Sequence, residues 1–316
     1  MTSKLKSLRI FGITFLLGAL FSVYSQSISP LEGRWDLEMG FMGKTAPSWL
    51  EIRHSGHATL IGRFVFAFGS ARPISEIKTY GENKFTFSIP NQWEPKGSDM
   101  IFHGELVDGK LKGSMIYTDG TMIHWIGEKA PKLAYTENPK WDKPIDLFNG
   151  KDVSGWHVDG EKNQWIVEDG VLTSPESGSN LISNQKFQDF KLHVEFQYPE
   201  GSNSGIYLRG RYEVQIEDGG KNEDPMDIYI GGVYGFLEPN ENAAKGAGEW
   251  QTYDITLIGR RVTVTLNGKT VINDATIPGI TGGALDSKEG EPGPFMIQGD
   301  HGPIKFRSFV VTPLKK

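Results

Sequence analysis

The amino-acid sequence predicts an all-β protein, with a small antiparallel barrel followed by a larger two-sheet sandwich. Three observations support this fold class. The 316 residues include 39 Gly and 8 Trp, and Thr, Val, Ile and Phe recur in short runs, which favours strands. Hairpin dipeptides such as Asp108-Gly109 and Asn267-Gly268 separate these runs, because Gly supplies the positive φ of a tight turn. No segment keeps helical periodicity over three turns.

The N-terminal residues predict export. Basic residues precede an apolar run at 10–23, and Val23-Tyr24-Ser25 carries small residues at the spacing that a signal peptidase prefers. This run is shorter than the roughly 20 residues that span a bilayer, so we expect a cleaved signal peptide at 1–25. An uncleaved N-terminal anchor is the alternative. We expect a periplasmic or secreted protein with no membrane span after cleavage.

Length, charge and cysteine content limit the remaining possibilities. The length left after cleavage suggests two domains. The net charge of −6 is spread along the chain without a basic patch, which argues against nucleic acid as a partner. The chain has no cysteine, so disulfides and lipid attachment to a processed N-terminal Cys are excluded.

Residues 27–130 predict a meander of short strands that closes into a barrel, since closure hides edge strands. Gly33-Arg34-Trp35 resembles the start of lipocalin-like barrels. A ligand cavity in this barrel and a filled barrel that serves as an accessory domain are both compatible with the pattern. The predicted strands are Trp49–Arg53, Ala58–Phe68, Lys84–Ile89, Met100–Leu106, Lys110–Tyr117 and Met122–Gly127. Residues 131–144, with three prolines, predict a linker.

Residues 145–316 predict the larger domain. Ten or more short strands with hairpin turns in this length fit a two-sheet sandwich of the jelly-roll type. The segment 219–249 is long, rich in Gly, Asn and Pro, and acidic. Long loops in compact domains are functional or disordered, and we expect this one to form the rim of a site.

The segment 191–218 points most directly to function. It contains three runs in which apolar and polar residues alternate with period two, so each run places its polar side chains on one face of a strand. If the three strands share a sheet, one face is a core wall and the other gathers groups that hold polyhydroxylated ligands. These polar residues are His193, Glu195, Gln197, Tyr207, Arg209, Glu213, Gln215 and Glu217.

The larger domain contains a series of short sequence blocks that together form a recognisable pattern. The blocks are Leu147-Phe148-Asn149-Gly150-Lys151-Asp152, Gly155-Trp156, Glu168-Asp169-Gly170-Val171-Leu172, Asn203-Ser204-Gly205-Ile206-Tyr207-Leu208-Arg209-Gly210, Tyr212-Glu213-Val214-Gln215-Ile216, Gly248-Glu249-Trp250, Leu266-Asn267-Gly268, Gln298 with His301, and Phe306-Arg307. Taken in this order, they resemble the 3-keto-disaccharide hydrolase family over about 145–314. The resemblance implies a concanavalin A-like jelly-roll domain that binds sugar and cleaves glycosides already oxidised at C3 by a partner oxidoreductase.

The implied chemistry needs three kinds of group. A ketone at C3 acidifies the hydrogen at C2, so a base can form an enolate and the aglycone at C1 leaves; water then adds to the enone. The site therefore needs a base near C2, a hydrogen-bonding or positive group at the enolate oxygen, and an acid for the leaving group. Our catalytic candidates are Glu195 and Glu213 as base or acid, Arg209 at the enolate oxygen, and His301 as a proton shuttle. Our substrate-binding candidates are Asn203, Tyr207, Gln215, Asp218, Tyr234 and Gln298.

Other interpretations of the same residues stay open. Asn203-Ser204-Gly205 has the composition of a simple turn, and Arg209 with Glu213 could form a structural ion pair between strands. No cofactor is certain. A divalent metal is possible, with His301, Glu195 and Glu213 as ligands, or with Asp224 and Asp227 holding Ca²⁺.

The leading hypothesis is an exported enzyme that cleaves 3-keto-glycosides, with a glycoside or oligosaccharide as substrate. The main alternative is a non-catalytic, lectin-like carbohydrate-binding protein on the same scaffold, since a fold does not fix a function. A third possibility is an interaction module in which the barrel docks onto a cell-surface partner.

Overall fold

The computed structural model describes residues 29–92, 94–219 and 224–315. These residues form strands and no helix, which confirms the all-β prediction. They therefore contain no helix that could cross a membrane. The predicted signal peptide lies outside the described residues.

The first eight strands form a closed antiparallel barrel in which β1 pairs with β8. Large side chains fill its interior, for example Trp35, Phe64 and Phe102, with the rings of Phe64 and Phe102 4.6 Å apart. This interior fits the filled-barrel interpretation. The strands are β1 (Gly33–Phe41), β2 (Lys44–Ser55), β3 (Thr59–Val65), β4 (Arg72–Tyr80), β5 (Lys84–Ile89), β6 (Met100–Val107), β7 (Lys110–Ile116) and β8 (Met122–Lys129).

The remaining strands form a sandwich of a five-stranded and an eight-stranded sheet, as predicted. Their inner faces enclose one core that includes Phe196, Val214, Tyr253 and Phe295. The strands are β9 (Ile145–Asp146), β10 (Trp156–Asp159), β11 (Ile166–Glu168), β12 (Val171–Ser174), β13 (Asn180–Phe187), β14 (Phe190–Gln197), β15 (Asn203–Leu208), β16 (Tyr212–Glu217), β17 (Gln251–Ile258), β18 (Arg261–Leu266), β19 (Lys269–Thr276), β20 (Gly293–Ile297) and β21 (Ile304–Pro313).

The three strands of the segment 191–218 do not share one sheet. Strand β14 lies between β17 and β21 in the eight-stranded sheet, whereas β15 and β16 form a hairpin in the five-stranded sheet, in the order β10-β13-β20-β15-β16. The connection at 198–202 crosses from one sheet to the other instead of closing a hairpin. The expectation of a single polar face on all three strands is therefore wrong.

Barrel and sandwich pack directly against each other. The indole of Trp49 on β2 is fully buried in the sandwich core, 5.5 Å from the ring of Phe236. A side chain at Gly279 would lie 2.2 Å from that indole. The segment between the two units also packs on the sandwich, because Arg260 Nη1 donates to the Pro131 carbonyl at 2.8 Å. The barrel is thus attached by a shared core and not only by a chain connection.

Candidate active site

A cavity of about 200 Å³ lies on the outer face of the five-stranded sheet; we call it the site pocket. At roughly 30 Å³ per water in the liquid, this volume equals that of about seven waters. Wider depressions elsewhere on the surface are larger, but they do not gather as many buried polar atoms without a partner. The site pocket is lined by Phe68, Gly69, Asn180, Asn203, Tyr207, Glu213, Gln215, Glu217, Tyr234, Gly282, Gly283, Met296, Gln298, Asp300 and His301.

Strand β16 places the central polar side chains. Its residues Tyr212, Val214 and Ile216 are fully buried in the core, so the intervening Glu213, Gln215 and Glu217 point to the outer face. Strand β15 contributes Asn203 and Tyr207 to the same face. Because Asn203–Leu208 forms a strand, the interpretation of Asn203-Ser204-Gly205 as a simple turn is wrong.

Four buried oxygens of the site pocket have no hydrogen-bond partner among the described residues. They belong to Asn203 (Oδ1), Glu213 (Oε1), Gln215 (Oε1) and Gln298 (Oε1). A buried polar atom without a partner is costly, so such atoms mark a strained, functional or ligand-binding position. Together they form a set of groups suited to a ligand that has several hydroxyls.

Glu213 is the most deeply buried acid of the site pocket, with 2% of the residue exposed. Burial raises the pKa of its carboxyl to about 8, although the Tyr207 hydroxyl and His301 counteract part of this effect. Glu213 is therefore largely neutral at pH 7.

The contacts of Tyr207 are compatible with a protonated Glu213. Tyr207 Oη lies 2.9 Å from Glu213 Oε2 and 2.9 Å from the Gly282 carbonyl oxygen, which can only accept. Both contacts are satisfied when Tyr207 donates to Gly282 and a protonated Glu213 donates to Tyr207. With the proton on Oε1 instead, Tyr207 donates to Oε2, the Gly282 carbonyl loses this donor, and the carboxyl hydrogen lies on the oxygen that has no partner among the described residues.

His301 lies at the mouth of the site pocket, beside its sequence neighbour Asp300. The His301 Nδ1 atom is 2.7 Å from Asp300 Oδ1, and this hydrogen bond raises the pKa of the imidazole. A carboxylate on Nδ1 fixes the tautomer in which Nε2 is the free base.

Glu217 is a further acid of the site pocket, and burial raises the pKa of its carboxyl.

Tyr234 reaches the site pocket from the long loop, whose described part docks on the free edge of β16. The Gln215 N–H donates to the Gly232 carbonyl at 2.9 Å, and the Tyr234 N–H donates to the Glu213 carbonyl at 3.1 Å. Burial raises the pKa of Tyr234 to about 12, so its phenol stays protonated. The described part of this loop therefore contributes Tyr234 to the lining of the site pocket.

Glu195 does not lie in the site pocket. Its strand β14 belongs to the eight-stranded sheet, and Glu195 points away from the core on the far side of the sandwich. There it pairs with Arg307, whose guanidinium stacks 4.3 Å from the Trp250 ring, and this ion pair lowers the pKa of the carboxyl. The catalytic role that we predicted for Glu195 has no geometric support.

Arg209 is also outside the site pocket. It occupies the turn after β15 with φ 55°, and its fully buried guanidinium donates to the Gly259 carbonyl and lies 5.0 Å from the Tyr212 ring. Its predicted role at the enolate oxygen is wrong, as is an ion pair with Glu213, because the turn directs the side chain to one end of the sandwich. Asp218 does not line the site pocket either; its Oδ2 accepts from the Gly201 N–H at 2.8 Å.

Other lining residues were not among our candidates. Glu217 was among the polar residues predicted to share a strand face with Glu213 and Gln215 but was given no role, and Asp300 directly precedes His301. Phe68 and Gly69 come from the barrel, and no sequence pattern links them to the sandwich.

The proposed metal ligands are not brought together. Glu195 lies on the opposite side of the sandwich from Glu213 and His301. Within residues 29–92, 94–219 and 224–315, no three His, Asp or Glu side chains converge in a way that could hold a metal ion.

Comparison with known proteins identifies the family. Residues 143–312, more than half of the chain, match the family described as the 3-keto-alpha-glucoside-1,2-lyase-like domain. The chain belongs to this family. The resemblance predicted from the sequence is thus confirmed, and the match begins only after the barrel.

Individual relatives cover different shares of the chain. A curated 3-keto-disaccharide hydrolase from Bacteroides thetaiotaomicron is 33% identical over 101 residues, and the match spans 28% of this chain and 34% of that relative. A solved structure from Parabacteroides distasonis, named as a candidate glycosyl hydrolase, is 35% identical and covers 54% of this chain and 84% of its own, with a TM-score of 0.47. Another from the same organism is 24% identical, covers 55% and 100%, and has a TM-score of 0.42.

Proposed function

We propose that this family member cleaves glycosides whose sugar carries a ketone at C3, by removing the proton at C2 and expelling the aglycone from C1. The observation that carries the proposal is a buried Glu213 among polar oxygens without a partner in the described residues, with the Asp300–His301 pair at the same pocket. Burial raises the pKa of Glu213 to about 8, which favours a carboxyl that donates a hydrogen bond. A keto-dependent elimination needs a base near C2, a hydrogen-bonding or positive group at the enolate oxygen and an acid for the leaving group.

His301 is the base in this proposal. Its Nε2 removes the hydrogen at C2, and the electron pair of the C–H bond moves to the C3 oxygen to give the enolate. Asp300 holds the imidazole and stabilises the imidazolium that forms, since the two side chains are in contact at 2.7 Å. The side chain of His301 is half exposed. This position at the mouth fits a group that later returns a proton to the oxygen of the departing aglycone.

Glu213 takes the role that we first gave to Arg209. A carboxylic acid kept neutral by burial can donate a hydrogen bond to a developing enolate oxygen, and this stabilises the transition state. When the enolate collapses, the C3 ketone re-forms, the C1–C2 double bond forms and the C1–O bond breaks. The imidazolium of His301 returns its proton to the aglycone oxygen. Water then adds across the enone, and the net reaction is hydrolysis.

The remaining polar groups would bind the sugar hydroxyls. Asn203, Gln215 and Gln298 each carry a buried amide at the site pocket, and an amide can both donate to and accept from a hydroxyl. The volume of about 200 Å³ admits one ring, so the oxidised sugar fills the site pocket and the aglycone lies at its mouth.

The proposed reaction also requires a source of oxidised substrate and a cellular location. A ketone at C3 must come from a separate oxidation step, so we propose that a sugar C3 oxidoreductase supplies the substrate. The basic and apolar N-terminal segment supports export, so we propose a periplasmic or secreted location.

The test is an assay on the mature protein with matched pairs of native and C3-oxidised glucosides, with and without EDTA. We expect release of the aglycone only from the oxidised member, and the arms with EDTA show whether a metal takes part. Cleavage of the native member would refute the keto-dependent mechanism. Binding of both members without cleavage would favour the lectin-like alternative, and loss of activity in EDTA would add a metal that the described residues do not reveal.

A further inference from the structure

Two tyrosines flank the buried acid Glu213 on the outer face of the five-stranded sheet. Strand pairing sets Tyr207 of β15 opposite Glu213. On the other side of β16, Val233 of the long loop forms an antiparallel bridge with Val214, and this register sets Tyr234 opposite Glu213. The three side chains line the site pocket as one row. Residues directly opposite each other in such a pairing have Cβ atoms about 5 Å apart, so both tyrosines are immediate neighbours of the acid.

The hydroxyls of the two tyrosines differ in what they bind. Tyr207 Oη lies 2.9 Å from the Gly282 carbonyl oxygen and 2.9 Å from Glu213 Oε2, so its hydrogen is engaged inside the protein. The Tyr234 hydroxyl forms no hydrogen bond within residues 29–92, 94–219 and 224–315. Because burial raises the pKa of this phenol to about 12, it carries its proton throughout the neutral pH range. Tyr234 thus supplies a donor to the site pocket.

The backbone of Tyr234 is held from two sides. Its N–H donates to the Glu213 carbonyl at 3.1 Å, which fixes it to β16. The next residue, Gly235, has φ 68° and packs on the loop 66–71 that joins β3 to β4 of the barrel. A side chain at Gly235 would lie 2.8 Å from the backbone nitrogen of Ala71, so glycine permits this close approach.

The same barrel loop also supports Tyr207. The Gly283 N–H donates to the Ala67 carbonyl at 2.9 Å, and the adjacent Gly282 carbonyl accepts from the Tyr207 hydroxyl. A side chain at Gly282 would lie 2.2 Å from the Gly69 carbonyl oxygen. The groups around Glu213 are therefore fixed before substrate binds, and fixed donors stabilise developing charge without a cost of reorganisation.

We propose that Tyr234 is a catalytic residue that donates a second hydrogen bond to the C3 oxygen of the keto-sugar as the enolate forms. The inference rests on the proposed function, in which Glu213 gives the first hydrogen bond to this oxygen. When His301 takes the hydrogen from C2, the electron pair of the C–H bond moves to the C3 oxygen. Glu213 and Tyr234 share the resulting charge, and neither gives up its proton. Their opposite positions on neighbouring strands allow both to reach one oxygen.

The experiment uses Tyr234→Phe, which keeps the ring and removes only the hydroxyl. One measurement is the cleavage of a p-nitrophenyl 3-keto-glucoside. The other follows the exchange of the C2 hydrogen in D₂O by NMR on 3-keto-1,5-anhydroglucitol, which has no aglycone and therefore reports on enolate formation alone.

We expect kcat for cleavage to fall by roughly 100-fold, as for the loss of one donor to an oxyanion, with KM changed by less than about 3-fold. The exchange at C2 should slow by a similar factor. Tyr80→Phe is the matched control, because it removes the hydroxyl of an exposed barrel tyrosine that does not line the site pocket. This control should match the wild type in both measurements.

The outcomes separate this inference from the proposed function. If the wild type cleaves the keto-glucoside and Tyr234→Phe is equally active, or if only its KM rises, the inference is wrong while the function stands. Slow cleavage with unchanged exchange at C2 would make Tyr234 a donor to the leaving group and would also refute the inference. A wild type that exchanges but does not cleave would refute the function, and the ratio of exchange rates would still decide the role of Tyr234. A wild type that does neither would refute both.

Discussion

Glu213 is the residue on which the proposed chemistry depends. Burial raises its pKa to about 8, and its contact with Tyr207 fits a protonated carboxyl. The pKa of His301 is raised above its ordinary value by Asp300. Activity therefore requires a protonated Glu213 and a neutral His301, so its pH range is limited above by the Glu213 pKa of about 8 and below by the raised pKa of His301.

The substitution Glu213→Gln tests this assignment, because an amide keeps a hydrogen-bond donor but does not titrate. We expect kcat to fall by roughly 100-fold, within the range found when a donor to a developing oxyanion is altered. In the wild type, kcat/KM should decline above pH 8 or so, and in Glu213→Gln this alkaline limb should be absent. The measurement is a pH–rate profile of both proteins on one 3-keto-glycoside. An unchanged alkaline limb in the variant would assign that limb to another group.

The stability of the protein should also depend on Glu213. The pKa of its carboxyl is about 8 when folded and near 4.5 when unfolded, so between these values the folded state holds the extra proton. The free energy of unfolding should therefore decrease as pH rises through this window, by ~2–4 kcal/mol between pH 5 and 8.5. Urea titrations of wild type and Glu213→Gln should show a shallower decrease in the variant.

A control distinguishes this effect from other titrating groups. Burial also raises the pKa of Asp36 to about 9, and this contribution is present in both proteins, so only the difference between them reports on Glu213. Glu200→Gln removes an exposed carboxylate outside the site pocket and should follow the wild type. Identical slopes for wild type and Glu213→Gln would mean that Glu213 is ionised when folded.

Single residues differ in how far the sequence predicted them. Glu213 and Gln215 were predicted because period-two alternation fixes which strand residues point out of the core. In the sequence, Arg209 continues the same alternation. In the structure it adopts φ 55° in the turn after β15, so its side chain does not lie on the same face as Tyr207. Glu195 alternates correctly within β14; its placement failed because pairing with β17 and β21 is set by residues distant in sequence.

Strand β15 makes room for the acid of the neighbouring strand β16. A side chain at Gly205 would lie 2.3 Å from Glu213 Oε1, so glycine is the residue that leaves space for the carboxyl. This contact explains Gly205 within the family-like block Asn203–Gly210 better than a turn does.

Gly205→Ala should thus disturb the site from within the strand. We expect a loss of about 1–3 kcal/mol in unfolding free energy from overpacking, and a fall in kcat larger than the rise in KM because the carboxyl is displaced. Gly40→Ala on β1, where the nearest atom would be 3.7 Å away, is the control and should be close to neutral. Full activity in Gly205→Ala would show that the carboxyl can move without consequence.

Loops were harder to predict than strands, and the β3–β4 loop shows why. The apolar run from Phe64 to Phe68 suggested a strand that continues to Phe68, yet β3 ends at Val65. Both Phe66 and Phe68 pack on Phe41, which leaves Phe66 buried and Phe68 partly exposed. Apolar residues that cover the end of a barrel have the same sequence pattern as a strand, so composition alone could not locate this loop.

We expect barrel and sandwich to unfold together as one cooperative unit, because Trp49 and Val65 of the barrel belong to the sandwich core. Trp49→Ala should therefore lower the free energy of unfolding by ~3–5 kcal/mol, as for other large core truncations. It should also weaken the site, since the β3–β4 loop would no longer be held against the sandwich. Calorimetry of the wild type should show one transition, and that of the variant a broader or split one.

A control substitution separates the loss of core volume from the loss of the contact between barrel and sandwich. Trp125 is equally large and also buried, but it packs inside the barrel, so Trp125→Ala should destabilise the protein without exposing the face between barrel and sandwich. Two separate transitions already in the wild type would contradict a shared core. The sequence predicted both units and could not predict this packing, because the contact of Trp49 with Phe236 joins residues far apart along the chain.

The fate of the hydrogen at C2 distinguishes the proposed elimination from direct hydrolysis. A 3-keto-glycoside is cleaved in D₂O, and the released sugar is analysed by mass spectrometry at early times, with the product sugar incubated separately as the control for later exchange. Elimination followed by hydration predicts one deuterium at C2 in the released 3-keto-sugar. Release of a sugar that retains its original hydrogen at C2 would contradict the mechanism and point to direct hydrolysis.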